Sequence, residues 1–232
     1  MTLASSDTIS HRRGVATSVD LLVVAAFAPE LEPLAPRITV NGVVTSDGGV
    51  IAAQAIGIGL AQSCAGLARA LEVFAPRAVL LIGSCGFYAG APFAIGDVIV
   101  ARSIALSDAA AMQGNAAFPG PMSTSCEMDA SLVERLAHCG AKPARVANTL
   151  AITTDDALAA SYRERGFEIE HLEAFALDVV PREIPCTALL GIANRVGSSA
   201  RDEWKANAAR AHRACAGVLH RWLETGVQQT GR

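Results

Sequence analysis

No stretch of this 232-residue sequence is apolar for the length of a membrane span. Nowhere do lysines and arginines gather into a cluster, and the formal net charge is only -3. These shortages exclude a membrane partner and nucleic acid, both of which call for an apolar span or a basic face, and leave small-molecule chemistry. The six cysteines (Cys64, Cys85, Cys126, Cys139, Cys186, Cys215) contain no CxxC pair. His11, His138, His171, His212 and His220 fall in separate segments. Neither set has the spacing of a structural zinc site, and most cysteines sit among apolar neighbours, as small core residues of a protein in the reducing cytoplasm do. Nothing in the pattern calls for a metal or a cofactor. Residues 1–19 lack the apolar region of a signal peptide and are expected to form a disordered tail. Without an internal repeat or a linker rich enough to divide the chain, residues 20–225 are expected to form one domain.

What is present is apolar residue, 51% of the chain against 18% charged, enough for one large α/β core. Its organising stretch is Arg77–Gly86. There a branched apolar run, Ala78-Val79-Leu80-Leu81-Ile82, gives way to Gly83-Ser84-Cys85-Gly86. This reads as a central strand whose C-terminal end opens into a turn exposing its backbone, the place where open α/β sheets bind ligands.

Leu21–Phe27 reads as a buried first strand, and Pro29 with Glu30 and Glu32 marks the start of a helix. Residues 38–58 suggest short antiparallel strands joined at Asn41-Gly42 and Asp47-Gly48-Gly49. After Gly57-Ile58-Gly59, the residues Leu60, Cys64, Leu67, Leu71 and Phe74 make one helical stripe that Pro76 ends. With its flanking strands this implies a parallel pairing.

Further strands are expected at 95–100, 146–153 and 185–192. A helix is expected at 129–140, one capped by Thr154-Asp155-Asp156, and a terminal one at 202–223 carrying Trp204, Ala208, Ala211, Cys215, Val218 and Trp222 on one face. Residues 109–125 read as a long loop.

Glu30, the Gly83–Gly86 segment, His171-Leu172-Glu173 and Asn194 all fall at ends of these strands. Parallel strand ends share one rim, so residues distant in the chain can converge on one cleft. Cys85, beside glycine, could be a nucleophile or a small packing residue.

The order strand-Glu30, Gly57-Ile58-Gly59, Gly83-Ser84-Cys85-Gly86, Ile95-Gly96-Asp97-Val98, Asp155-Asp156-Ala157, Leu172-Glu173-Ala174 and Ile192-Ala193-Asn194 resembles the nucleoside phosphorylase and nucleosidase superfamily. The resemblance spans about Leu21 to Val218. It implies a three-layer α/β/α domain around a central mixed sheet, a homodimer or larger homo-oligomer, and cleavage of a ribosyl N-glycosidic bond. By resemblance, Glu30 corresponds to the glutamate that activates water. Gly83, Ser84, Cys85 and Gly86 correspond to the turn near the ribose and its attacking water or phosphate. Leu172-Glu173 corresponds to the Met-Glu pair that binds the ribose hydroxyls, and Trp204 to an aromatic residue beside the substrate.

Asn194 stands where adenine-specific members carry an aspartate. An amide both donates and accepts, which suits a 6-oxopurine. The run Asn194-Arg195-Val196-Gly197 with Arg201-Asp202-Glu203-Trp204 looks most like futalosine hydrolase. Leu190 replaces an arginine common in the family, and Leu158 a phenylalanine that stacks on the base. The expectation is a nucleosidase using nucleoside and water. Phosphorolysis is the runner-up, disfavoured because Glu30 would repel phosphate and no arginine pair marks an anion cradle. Two alternatives are a catalytically silent nucleoside binder and an enzyme using Cys85 as nucleophile.

Overall fold

The computed structural model describes residues 16–35, 37–38, 42–46 and 49–225. Its elements in chain order are β1 (Thr17–Val19), β2 (Leu21–Ala25), α1 (Ala28–Leu31) with a 3-10 turn at Glu32–Leu34, β3 (Gly42–Ser46), β4 (Gly49–Ala55), α2 (Leu60–Val73), β5 (Phe74–Pro76) and β6 (Val79–Phe87). There follow β7 (Val98–Leu106), α3 (Ala109–Met112), β8 (Ser125–Glu127), α4 (Ala130–His138), β9 (Lys142–Asn148), α5 (Asp156–Glu164), β10 (Ile169–His171), a 3-10 segment at Ala174–Val179, β11 (Cys186–Arg195) and α6 (Ala200–Glu224).

The uncharged run of β2 is buried at every residue because it lies between β4 and β6, both parallel to it, with helices over both faces. Full burial of one such Val or Leu side chain contributes about 1.5–3 kcal/mol. The main sheet runs β10-β9-β7-β11-β6-β2-β4-β3, with β8 beside β7. It is mixed, because β11 runs parallel to β6 and antiparallel to β7, while β3 turns back on β4. β10 pairs with β9 on one side and with the end of β6 on the other, so β6, β11, β7, β9 and β10 close into a ring.

One face of the sheet packs against Leu67 and Ala70 of α2 and against Ala174–Leu177. The other packs against Leu31 and Leu34 after β2, Leu132 and Leu136 of α4, and Cys215, Val218, Leu219 and Trp222 of α6. These layers are the α/β/α arrangement expected from the family resemblance. α6 sits directly on β11 at Gly191, where any Cβ would collide with the Ala211 carbonyl. That contact fixes which turns of α6 face the ends of the strands.

Several boundaries differ from the sequence reading. Gly83-Ser84-Cys85-Gly86 is not a turn but the second half of β6, held in register by β11 and, at Gly86, by β10 as well. Thr17–Val19 pairs parallel with Phe74–Pro76, so a segment expected in the tail is a strand; residues 1–15, with His11, lie outside the described residues, as do Asn41 and Asp47-Gly48. β9 covers 142–148 rather than 146–153, because its ladder with β7 begins at Ile99 and Lys142. Beyond it the Asn148 side chain binds Thr149 O, Leu172 O and Phe175 N, tying the strand end to the loops. β11 runs past Ile192 to Arg195 through a bulge. The supposed loop at 109–125 begins with α3, capped by Asp108, and ends on β8.

Candidate active site

The ends of β2, β6, β10 and β11 open into a cleft of about 450 Å³, within the range of small-molecule sites. Phe27, Ile58, Ile152, Leu172 and Trp204 supply its apolar wall, and Glu30, Ser84, Glu170, Glu173 and Asn194 its polar groups.

Glu30 is placed by the first turn of α1, where Pro29 presets the backbone and an acid suits the helix start. Its Oε2 accepts from Ala26 N at 3.2 Å, and its Oε1 accepts from Ser84 N at 3.0 Å and Ser84 Oγ at 3.4 Å. The side chain is 5% exposed. Burial, reinforced by the nearby Glu173 charge and opposed by the bonds from Ser84 and Ala26, pushes its pKa up to about 7. Gly83 leaves room for this carboxylate, since a Cβ there would lie 3.0 Å from Glu30 Oε1 and 3.3 Å from His171 Nε2. Ser84 Oγ in turn accepts from Trp204 Nε1 at 3.0 Å, linking α6 to Glu30 through one hydroxyl.

Glu173 follows β10 and is also buried. Its Oε1 accepts from Gly59 N at 2.8 Å. Gly59, at φ +80°, caps α2, a conformation open to glycine that turns its N–H toward the carboxylate. His171 Nδ1 accepts from the backbone N–H groups of Glu173 and Ala174 at 3.1 and 3.0 Å. That nitrogen therefore carries no proton, and its 3.5 Å approach to Glu173 Oε2 is not an ion pair. Burial lowers the histidine's pKa against the pull of Glu173, so the ring is neutral and locks the turn that presents Glu173.

Asn194 lies beyond the β11 bulge, with Nδ2 donating to Arg195 O at 3.0 Å. Cys85 also lines the cleft, but burial first, then Cys215 and Glu30, raise its thiol well above the ordinary value. It is a packing thiol whose pKa no cation among the described residues lowers, contrary to the nucleophile alternative. Gly86 and Leu172 line the cleft, whereas Gly83 lies behind Glu30. Leu158 does not reach the cleft: it packs beside Tyr88, Tyr162 and Phe167 under α5, and Ile152 occupies the wall instead. Among the described residues no group of three or more His, Cys, Asp or Glu is arranged to hold a metal ion.

The sequence reading missed four features. Glu170 lines the cleft fully buried, flagged only by its place two residues before Leu172. Arg201 and Lys205, one turn apart on α6, reach the cleft and make no ion pair among the described residues. The sequence reading looked for an arginine pair as an anion cradle and passed over this arginine-lysine pair. His212, two turns beyond Trp204, lies 3.6 Å from Glu30 Oε1. Tyr88 is fully buried and stacks on Tyr162 at 5.5 Å.

The sequence profile of the phosphorylase superfamily matches residues 21–180, the stretch from β2 to the end of the 3-10 segment after Glu173. The chain belongs to that superfamily. Solved structures with the phosphorylase-superfamily fold align over nearly its whole length. The 5'-methylthioadenosine/S-adenosylhomocysteine nucleosidase of Neisseria meningitidis, in complex with methylthio-immucillin-A, is 16% identical, with 90% of this chain and 99% of that one covered at a TM-score of 0.75. The native futalosine hydrolase of Helicobacter pylori is 17% identical over 90% and 98% at 0.74. The S-adenosylhomocysteine nucleosidase of Streptococcus pyogenes, with 5-methylthiotubericidin, is 18% identical over 91% and 99% at 0.76. No curated protein matches the chain.

Proposed function

We propose that the cleft hydrolyses the N-glycosidic bond of a purine nucleoside or 5′-substituted nucleoside, releasing free base. The observation that carries this reading is the buried Glu30 carboxylate, bonded to Ser84 and placed near Glu173 in one cleft. Breaking the bond builds positive charge on the ribosyl ring and negative charge on the departing base, so stabilisation is needed at both ends. Glu30, with a pKa of about 7, is matched to accept a proton from the attacking water near neutral pH. Glu173 holds the ribose diol through charge-assisted hydrogen bonds. Asn194 offers an amide to the base, which favours a 6-oxopurine. Arg201 and Lys205 beside Trp204 suit a 5′ substituent bearing negative charge, in keeping with a futalosine-like substrate.

The same two cations favour a second reading, phosphorolysis, in which they attract phosphate. The decisive experiment is a panel of inosine, adenosine, methylthioadenosine and futalosine, assayed for free base with and without phosphate. Base release independent of phosphate supports hydrolysis. Phosphate dependence with ribose 1-phosphate as product supports phosphorolysis, and binding without base release supports the silent relative. Six free thiols fit a cytoplasmic protein. A homodimer or larger homo-oligomer, covering exposed Ile58, Leu150 and Ile152, is to be tested by sedimentation.

A further inference from the structure

Three buried carboxylates line the cleft, and the proposed hydrolysis uses two of them. The third, Glu170, is 7% exposed. Its Oε1 accepts from Thr153 N at 3.1 Å and its Oε2 from Tyr88 Oη at 3.2 Å. Among the described residues no lysine, arginine or histidine forms an ion pair with it.

Its register gives it a second relationship. Gly86 of β6 is opposite Glu170 of β10 on one side and opposite Asn194 of β11 on the other. Residues directly opposite in neighbouring strands project to the same face. With glycine between them, Glu170 and Asn194 flank a bare patch of backbone. A Cβ at Gly86 would lie 2.8 Å from Asn194 Nδ2, so the gap is needed. Gly86 stands two residues beyond Ser84, about 7 Å along the strand.

Building on the hydrolysis proposed above, we infer that Glu170 is a catalytic residue, the acid that gives its proton to the departing base, while Asn194 fixes that base in the plane of the pair. As the bond between the ribosyl carbon and the base nitrogen breaks, the electron pair leaves with the base. The carboxyl proton of Glu170 moves to a ring nitrogen of the base. Water forms the new bond to the ribosyl carbon and loses its proton to Glu30. That proton returns to Glu170 through solvent, so one water is consumed and both carboxyls are restored. Glu170 is suited to hold a proton, since burial raises its pKa against the lowering bonds from Thr153 and Tyr88. Asn194, an amide, has no proton of this kind to give.

The test separates the leaving group from the rest of the reaction. Inosine, or the best substrate of the nucleoside panel, needs a proton on its base; 4-nitrophenyl β-D-ribofuranoside releases a stable anion that needs none. For Glu170→Gln, kcat on the nucleoside is expected to fall by roughly 100-fold or more, the range of general acid catalysis, while kcat on the nitrophenyl riboside stays within about threefold of wild type. Equal losses on both substrates overturn the assignment and leave Glu170 a structural residue. Nucleoside turnover within threefold of wild type overturns it as well. 7-Methylinosine, whose base already carries positive charge, should follow the nitrophenyl riboside. Should wild-type protein release no base from any nucleoside, the hydrolysis reading itself fails, an outcome distinct from every pattern above.

Discussion

His212 Nε2 lies 3.6 Å from Glu30 Oε1, buried, with no hydrogen-bond partner among the described residues. The ring meets Phe27 edge-on at 6.2 Å. Burial, then the Arg213 charge, lowers its pKa, so a neutral ring sits beside Glu30 at a distance too long for a hydrogen bond. Ser84, Glu173, His171, Cys85 and Cys215 complete the groups around that carboxylate. Replacing this polar ring edge by an apolar one removes a dipole beside the buried carboxylate and should raise the acid limb of kcat/KM by somewhat under one pH unit. His212→Phe is expected to show that rise and His212→Gln to restore part of it. Lowered activity with an unmoved limb would mean that the ring only packs.

Glu30→Gln should abolish base release and keep the fold. The same substitution has a stability signature. Because folding raises this carboxyl from 4.5 to about 7, the protonated form is favoured in the native state. The associated stability is present below pH 4.5 and is lost as pH rises through 7. The difference corresponds to roughly 3 kcal/mol. Urea unfolding at pH 5 and pH 8.5 should therefore show wild type weakening at the higher pH relative to Glu30→Gln. Parallel curves for the two proteins would place the carboxyl at an ordinary pKa.

Glu173→Gln removes the charge proposed to bind the ribose diol. Charged hydrogen bonds contribute about 1.5–3 kcal/mol, so kcat/KM should fall by roughly 10- to 100-fold. Wild type should discriminate against 2′-deoxyinosine, and the variant should lose most of that preference. Equal discrimination in both proteins would move the diol elsewhere.

Exchanging Arg201 and Lys205 for serine should raise KM for nucleosides with an anionic 5′ substituent by about tenfold and leave inosine within threefold. These side chains are exposed, so their charge is screened by salt and the effect should shrink at high ionic strength. A change confined to the phosphate dependence would assign the pair to phosphate instead.

The apolar strands were readable because their burial is nearly complete, and α2 because its period is simple, although the helix ends at Val73, Phe74 and Pro76 belong to β5, and Leu60, Cys64 and Leu71 of the expected stripe are only half-buried. Glu30, Ser84, Glu173 and Asn194 could be expected in one cleft for the same reason: they end strands of one sheet, and strand ends share a rim. What the sequence concealed depends on contacts remote in the chain. Gly83-Ser84-Cys85-Gly86 has the composition of a turn, yet pairing with β11 and β10 holds it extended. Its small residues answer to neighbouring side chains, Glu30 and Asn194, rather than to a change of chain direction. Leu158 carried the stacking role in the family comparison, but α5 turns it toward Tyr88 and Tyr162. Glu170 looked like one acid in a mixed segment until its register against Gly86 placed it opposite Asn194. His212 was hidden inside an ordinary helical stripe, and only the close seating of α6 at Gly191 brings it to Glu30.

The bond from Trp204 to Ser84 also equips the molecule with its own optical reporter. The chain has two tryptophans. Trp222 is sealed in the core at 1% exposure, while Trp204 stands at the mouth of the cleft at 38%. A bound ligand changes the surroundings of one indole and leaves the other as an internal standard. Intrinsic fluorescence can therefore follow occupancy in solution without a label, and Trp222→Phe would isolate the signal.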